Sequence, residues 1–464
     1  IRLLANGNLD TGFGAGGVAT VTFGGAPPFS SGTDIVEDAT GYVGTASVYA
    51  GPSCSGVRFA RVFRLTSAGA QDTAFGGGAD VDIPAATTTS ALLNRMSGGT
   101  LQATSQQANG KQLQSFGYTA AGLVDAGYGT AGARSIRHDM GDFNAHTAMV
   151  REASGRFVTA SPSVFNGVIH VRRFDAAGAL DATCQPDITV QSPAANSFKP
   201  TQIMVDSSGN YLVAYSTTSG TASFGVLRLF ASTCLIDTSF NPTGAVPGTV
   251  TAAFTIGGTP VSYALAALLP VGTAEAYLVG TLKDTSNIER CFIARVGAAG
   301  SFTYWAAVSR TPTGDSECHS ASQQSDGRIL VTGYYAGAVG TGGFVARLLD
   351  TGSAFQLDST FSPASASALS TNGSALTSLT GGVQVYGSAP FTAGDQFRRI
   401  VQITTGADTG KILIAGHRSA SLYVARIASD GTLDTSFGSS GATVLPLSSG
   451  NPLPFLTGLA IQAS

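Results

Sequence analysis

Lysine and glutamate are scarce in this chain of 464 residues. It holds four Lys and five Glu, and charged residues of all kinds make up 11%. Both are strong helix formers that populate exposed helix faces, so their scarcity leaves little material for surface helices. Strands and turns remain, and 60 Gly with abundant Ser, Thr and Val supply them. Basic charge is short as well. A net charge of −3 offers no basic stripe, which argues against nucleic acid as a partner and disfavours an anionic membrane surface. Long apolar runs are missing: the most apolar stretch, Tyr263 to Leu269, is far too short to span a bilayer and ends at Pro270, so no transmembrane segment is expected. The chain opens on Ile1 without a charged, apolar leader, and a removed signal peptide or trimmed ends are the expectation.

Catalytic signatures are missing too. There is no H-E-x-x-H, no G-x-S-x-G, no phosphate-binding Walker loop and no calcium loop with alternating carboxylates. Gly12, Gly14 and Gly17 satisfy the spacing of a dinucleotide fingerprint, but strand-like Val18 to Phe23 follows where a helix would have to receive the phosphate. The five Cys (Cys54, Cys184, Cys234, Cys291, Cys318) show no C-x-x-C spacing, which leaves disulfides or inert thiols. A single Trp, Trp305, argues against one Trp platform per repeat for stacking on sugars.

What the sequence does have is a repeat. Its clearest copies run from Arg426 to Gly438 and from Arg2 to Gly14, and weaker ones start at Arg64, Gly117, Arg173, Arg228, Arg295 and Arg347. An Asp follows the turn at Asp10, Asp72, Asp125, Asp181, Asp237, Asp358 and Asp434, whereas the sixth copy carries Thr303 to Trp305 there. The spacing is about 53 to 76 residues, a period of propellers or solenoids. Between motifs lie alternating strands joined by Ser-Gly or Asp-Gly turns, as in residues 201–214, 322–333 and 401–416, and a third strand such as Phe344-Val-Ala-Arg-Leu leads into the next motif. Each period thus supplies four short strands, which favours a propeller over a solenoid.

The pattern Arg-Leu-x-x-Asp-Gly-x-Leu-Asp-x-Ser-Phe-Gly, followed by an Asp-Gly-Lys-Ile-Leu-(Val/Ile)-Ala-Gly hairpin, resembles the bacterial delta-60 repeat. The resemblance is most specific at residues 1–17 and 411–441 and weak in the third and sixth copies. It implies repeated β-structure in exported bacterial proteins, with no common activity or catalytic residues to transfer.

The expected fold is therefore all-β: one β-propeller over residues 1–464, of eight blades of four short antiparallel strands, with seven blades as the alternative. Counting from an opening strand of the Arg-Leu type to Leu459–Ala463 gives seven complete units and an eighth of three strands. The period swells between Ala364 and Asp395 with an insertion rich in Ser, Ala, Thr and Gly, read as a loop and as the preferred recognition element.

Candidate residues for chemistry are few. The repeated Arg and Asp flank one turn, so a blade-internal ion pair or a capping Asp explains both, and the recurrent Phe13, Phe75, Phe240, Phe361 and Phe437 read as core anchors. His138, Asp139, Asp142 and His146 are the one dense set of metal-competent side chains and could close on a divalent cation, although a solvated loop accounts for them equally well. No cofactor is otherwise expected. His170, His319 and His417 read as isolated structural histidines. Cys184 lies three residues after Asp181 and Cys234 three before Asp237, so these two are expected to pair, as are Cys291 and Cys318, with Cys54 left free. The functional expectation is a non-catalytic interaction scaffold, secreted or at the cell surface, binding a protein or glycan. A structural subunit of an extracellular or envelope assembly, and an enzyme with a site in the propeller's pocket, are the alternatives.

Overall fold

The computed structural model describes residues 1–23, 30–37, 40–50, 57–78, 80–83, 86–95, 101–107, 112–129, 131–137, 148–162, 168–176, 179–184, 186–190, 198–217, 222–256, 258–338, 340–386, 390–392, 394–418, 421–446, 459 and 461. Within them the chain forms two compact units, Ile1–Asp187 and Ile188–Ser464.

The first unit is built on β1 (Ser30–Glu37), β2 (Gly41–Ala50), β3 (Val57–Thr66) and β4 (Asp80–Asp82), which form one antiparallel sheet in chain order. A second sheet holds β5 (Ala86–Arg95), β6 (Leu101–Gln107), β7 (Gln112–Tyr118) and β8 (Ala133–Arg137). A third holds β9 (Ala148–Arg151), β10 (Phe157–Pro162), β11 (Val168–Phe174) and β12 (Asp187–Thr189).

In the second unit β13 (Phe198–Val205), β14 (Tyr211–Thr217), β15 (Phe224–Leu229) and β16 (Thr249–Ala252) make a four-stranded sheet. Next come β17 (Pro260–Gly272), β18 (Glu275–Asp284), β19 (Glu289–Gly297) and β20 (Ser301–Ser309), then β21 (Asp315–Gln323), β22 (Ile329–Gly337), β23 (Gly340–Asp350) and β24 (Phe355–Leu357). The stretch read as an inserted loop contains β25 (Ala366–Thr371), β26 (Thr377–Thr380) and β27 (Val383–Tyr386). β25 pairs with the edge of β20 and β26 with β25, extending that sheet to six strands, while β27 pairs with β23. The last sheet is β28 (Gln396–Gln402), β29 (Ile412–Arg418), β30 (Ser421–Ile427) and β31 (Ala442–Pro446).

This inventory corrects the expected eight blades of four strands, and the alternative of seven such blades. Five described sheets are plain four-stranded units, and the other two are composites of six and five strands. The stretch read as an inserted loop near residue 364 instead supplies strands to neighbouring sheets, and the first of the eight motif copies, Arg2 to Gly14, belongs to none of the described sheets.

The core lies between successive sheets. One cluster joins Leu212 and Phe224 to Leu278, Phe292 and Trp305, a second joins Val279 and Ile293 to Val331 and Phe344, and a third joins Val345 and Phe361 to Ile414 and Tyr423. Facing sheets thus bury each other's apolar sides, as the alternating strands require.

The repeat motif clasps one sheet to the next. Its Phe is buried at 0% exposure in Phe75 and Phe361, and the following residue adopts positive φ: 65° at Gly76 and 47° at Ser362. There its backbone N–H reaches the next motif's turn, from Gly76 to the Ala121 carbonyl at 2.8 Å and from Ser362 to the Asp430 carbonyl at 2.7 Å. The turn glycine is required because the Phe presses on it. At Gly431, with φ 87°, a Cβ would meet the Phe361 ring at 2.9 Å. The motif Arg stacks over the same Phe, at 5.1 Å for Arg64 on Phe75 and 4.9 Å for Arg347 on Phe361, and pairs with the motif Asp, as in Arg347–Asp358 at 2.8 Å. These repeated residues have structural work.

The two divergent copies have local substitutes. At Gly117 a Cβ would meet the Tyr128 ring at 2.3 Å, so the ring occupies the place of the usual Arg side chain, and Tyr128 bonds Ser115 at 2.6 Å. Arg295, which lacks a motif Asp, pairs with Asp350 from the next turn and with Glu275 at 3.0 Å.

Candidate functional site

The first strands of the second unit's sheets, β13, β17, β21 and β28, adjoin in succession. Each carries a register shift: at Thr201 in β13, at Val261, Ala266 and Val271 in β17, at His319 in β21 and at Arg398 in β28. With the middle shift of β17, the four bulged residues are Thr201, Ala266, His319 and Arg398. A bulge breaks alternation and re-aims a side chain, which is why bulges recur at sites of function. In β21 Cys318 pairs with Gly333 and Ser320 with Thr332, and in β28 Phe397 pairs with Gly416 and Arg399 with Ala415. The partner strand must be bare at that point. A Cβ on Gly333 would lie 1.7 Å from the Glu317 carbonyl oxygen, and one on Gly416 would lie 2.0 Å from that of Gln396.

Two of the four bulged residues are apolar or hydroxylic, and two are cation-forming. His319 faces an acceptor on each ring nitrogen: the Phe397 carbonyl 2.9 Å from Nδ1 and the Glu317 carboxylate 3.1 Å from Nε2. The His319 contact holds the Glu317 carboxyl down at about 2, with Glu289 also bonded to it. Glu289, at the start of β19, moves the other way. Burial, then the Glu317 charge beside it, pushes its carboxyl up to about 7, against the pull of Lys283, whose Nζ lies 3.4 Å away. Glu289 therefore keeps its proton into the neutral range and donates it to Glu317, the usual outcome for two carboxyls in one place.

On β28, burial is the main force lowering the Arg398 guanidinium. Its Nη2 donates to Gln396, its Nε is buried with no hydrogen-bond partner, and it makes no ion pair among the described residues. His417 on β29 is lowered by burial, then by Arg398 and His319, which favours its neutral form. The cluster thus combines a shared carboxyl proton, an imidazole and a guanidinium, a set that can donate and accept hydrogen bonds across a hydroxyl-bearing ligand.

A disulfide stands behind it. Cys318, flanked by Glu317 and His319, is bonded to Cys291, two residues after Glu289, with Cα atoms 4.9 Å apart. The Cys318 N–H also donates to Thr281 at 2.8 Å, and Ser316 bonds the Val308 carbonyl at 2.8 Å. β19 and β21 are thereby held together where the two carboxyls meet.

Other candidate residues have different places. His138, Asp139, Asp142, His146 and Cys54 lie outside the described residues. Cys184 and Cys234 are fully buried and disulfide-bonded. His170 contacts Asp187 at 2.7 Å beside Arg172, apart from His319 and His417, which the fold brings into one cluster although they are 98 positions apart in the chain. Sequence reading took all three as isolated. The available signal was Glu317-Cys318-His319 on a strand followed by Gly333: three reactive residue types in a row, opposite a glycine with no turn to explain it. Among the described residues no helix is long and apolar enough to cross a membrane.

Residues 324–361 and 408–437 match the model of a family described as a domain of unknown function (DUF5122), beta-propeller. The sheets are thus those of a β-propeller repeat protein. None of the curated proteins matches the chain. Among solved structures, a polysaccharide lyase of family PL25, an ulvan lyase, aligns at 9% identity over 64% of this chain and 74% of its own, with a TM-score of 0.37. The polysaccharide lyase Uly1 aligns at 8% identity over 90% of each chain, with a TM-score of 0.37, and Drosophila Semaphorin 2a at 9% over 89% and 76%, with a TM-score of 0.39.

Proposed function

We propose that this chain is an extracellular or cell-surface scaffold of the delta-60 repeat type that binds a glycan, without turning it over, at the cluster of Glu289, Glu317, His319 and Arg398. The observation that carries the reading is the pair of adjoining bulges at His319 and Arg398. They turn two cation-forming side chains out of the strand pattern on a scaffold whose other repeated residues are used in clasping sheets together. Planar hydrogen-bonding groups beside a carboxylate suit the vicinal hydroxyls of a sugar. The Cys291–Cys318 bond supports an oxidising compartment.

Titration calorimetry of the purified protein against a panel of oligosaccharides, with chromatography of the same samples for products, tests this. Binding without cleavage is expected, and His319→Ala should weaken it about tenfold by freeing the Glu317 carboxylate that His319 holds in place, a cost on the order of one hydrogen bond to a charged group. Absence of binding to every saccharide class would overturn the reading. Acid–base catalysis is the second reading, favoured by the proton that Glu289 retains beside an ionised Glu317. Product formation that is abolished by Glu289→Gln would select it.

A further inference from the structure

The charges of the cluster do not balance at Arg398. Glu317 is its acidic neighbour, but that carboxylate already accepts from His319 at 3.1 Å and from Glu289. Gln396, which takes one guanidinium N–H, is neutral, and the Nε–H is buried with no acceptor. A half-buried guanidinium with a donor unsatisfied is costly in isolation and is normally met by an anion that accepts two parallel hydrogen bonds. The bulge that leaves Arg398 out of register at β28 is the same device that presents His319 on β21, and the His319 ring contacts the carbonyl of Phe397, the residue before Arg398. Two donors of cationic type thus stand side by side where the first strands adjoin.

We infer that the ligand of this site is an acidic saccharide, whose carboxylate or sulfate ester is received by Arg398. The inference rests on the glycan-binding reading and narrows it. The anion offsets the guanidinium's charge, and a neighbouring sugar hydroxyl donates to the Glu317 carboxylate that His319 holds. Specificity follows from charge, because a neutral sugar's oxygens can accept from the guanidinium but bring no negative charge to offset it.

The test uses the intact chain and four probes in calorimetry at low and moderate salt: a glucuronate-containing oligosaccharide, the same oligosaccharide with its carboxyls reduced to hydroxymethyl groups, a sulfated oligosaccharide and poly-glutamate. The expected result is that one of the two acidic saccharides binds at least tenfold tighter than the reduced one. Arg398→Gln should remove that advantage, so that the variant binds the acidic and the reduced forms with equal affinity, and Arg398→Lys should restore part of it. Equal affinity for acidic and reduced forms would overturn this inference and leave the glycan reading standing, whereas no binding of any saccharide would overturn both. Poly-glutamate binding as tightly as the acidic saccharide would overturn the saccharide assignment. Should Arg398→Gln unfold the protein, Gln396→Ala takes its place. It frees a second guanidinium N–H and is expected to keep the preference for the acidic form, and loss of that preference in a folded Gln396→Ala protein would count against the inference.

Discussion

The clasp and the bulge are both repeated devices, and they vary in opposite ways. The clasp keeps its chemistry from copy to copy: Phe75, Phe240 and Phe361 are buried, a residue of positive φ follows each, and the next turn accepts its N–H. The bulge keeps its backbone geometry in β13, β17, β21 and β28, yet its residue runs from Thr201 and Ala266 to His319 and Arg398. Where residues and geometry recur together, packing fixes both. Where geometry recurs and the side chain is free to differ, a scaffold offers a place for recognition. The conspicuous repeat of this sequence is therefore its frame, and the inconspicuous positions are where its specificity lies.

The largest expected effect is on the frame. Phe361→Ala should destabilise the protein by about 3–5 kcal/mol in urea unfolding, the cost of emptying a well-packed aromatic site. A loss below about 1 kcal/mol would deny the clasp its role. Opening the Cys291–Cys318 bridge, a loop of 27 residues, by changing both to Ser should cost about 3 kcal/mol through the freedom gained by the unfolded chain. Because that bridge lies between the carboxyl pair and the core, it ties frame to site, and carboxyl titration in the double variant measures how far.

Gly431→Ala should cost about 1–3 kcal/mol, from its φ of 87° and the 2.9 Å approach to Phe361. The same change at Gly352, where φ is 84° but a Cβ would meet nothing within 4 Å, separates backbone strain from loss of the clasp. The smallest effect is on pH dependence. Glu289 has a raised carboxyl, so its contribution to stability is complete below the ordinary Glu range near pH 4.3 and is lost as pH rises through about 7. Glu317, held at about 2, contributes above that ordinary range and loses its contribution as pH falls towards 2. Glu289→Gln should therefore flatten the decline in stability between about pH 5 and 7, and an unchanged slope would show that the pair does not share a proton.

Much of the frame is legible in the sequence, and the site is not. Phe, Asp and Gly of the motif recur at fixed offsets because each touches its own repeat or the next, so the pattern of residues is the pattern of contacts. Blade number escaped because each motif copy counts as a blade in the sequence, whereas the copy at Arg2 to Gly14 belongs to none of the described sheets, and nothing in Ala366–Thr380 says that β25 and β26 pair with the edge of β20. The cluster escaped for a different reason. Alternation assigns His319 to one face of a regular strand, and only the register break at Cys318 and Ser320 turns it towards Phe397 and Glu317. Glu289 and Glu317 are 28 positions apart and meet where one sheet packs on the next, which no local pattern records.

Frame and site have separate roles, and the separation is measured by taking Phe361→Ala and His319→Ala through urea unfolding and through titration with the acidic oligosaccharide on the same preparations. The predicted result is that Phe361→Ala loses about 3–5 kcal/mol of stability yet binds with unchanged affinity while folded, whereas His319→Ala loses about 1 kcal/mol of stability and about tenfold in affinity. An affinity lost in Phe361→Ala, or retained in His319→Ala, would contradict it.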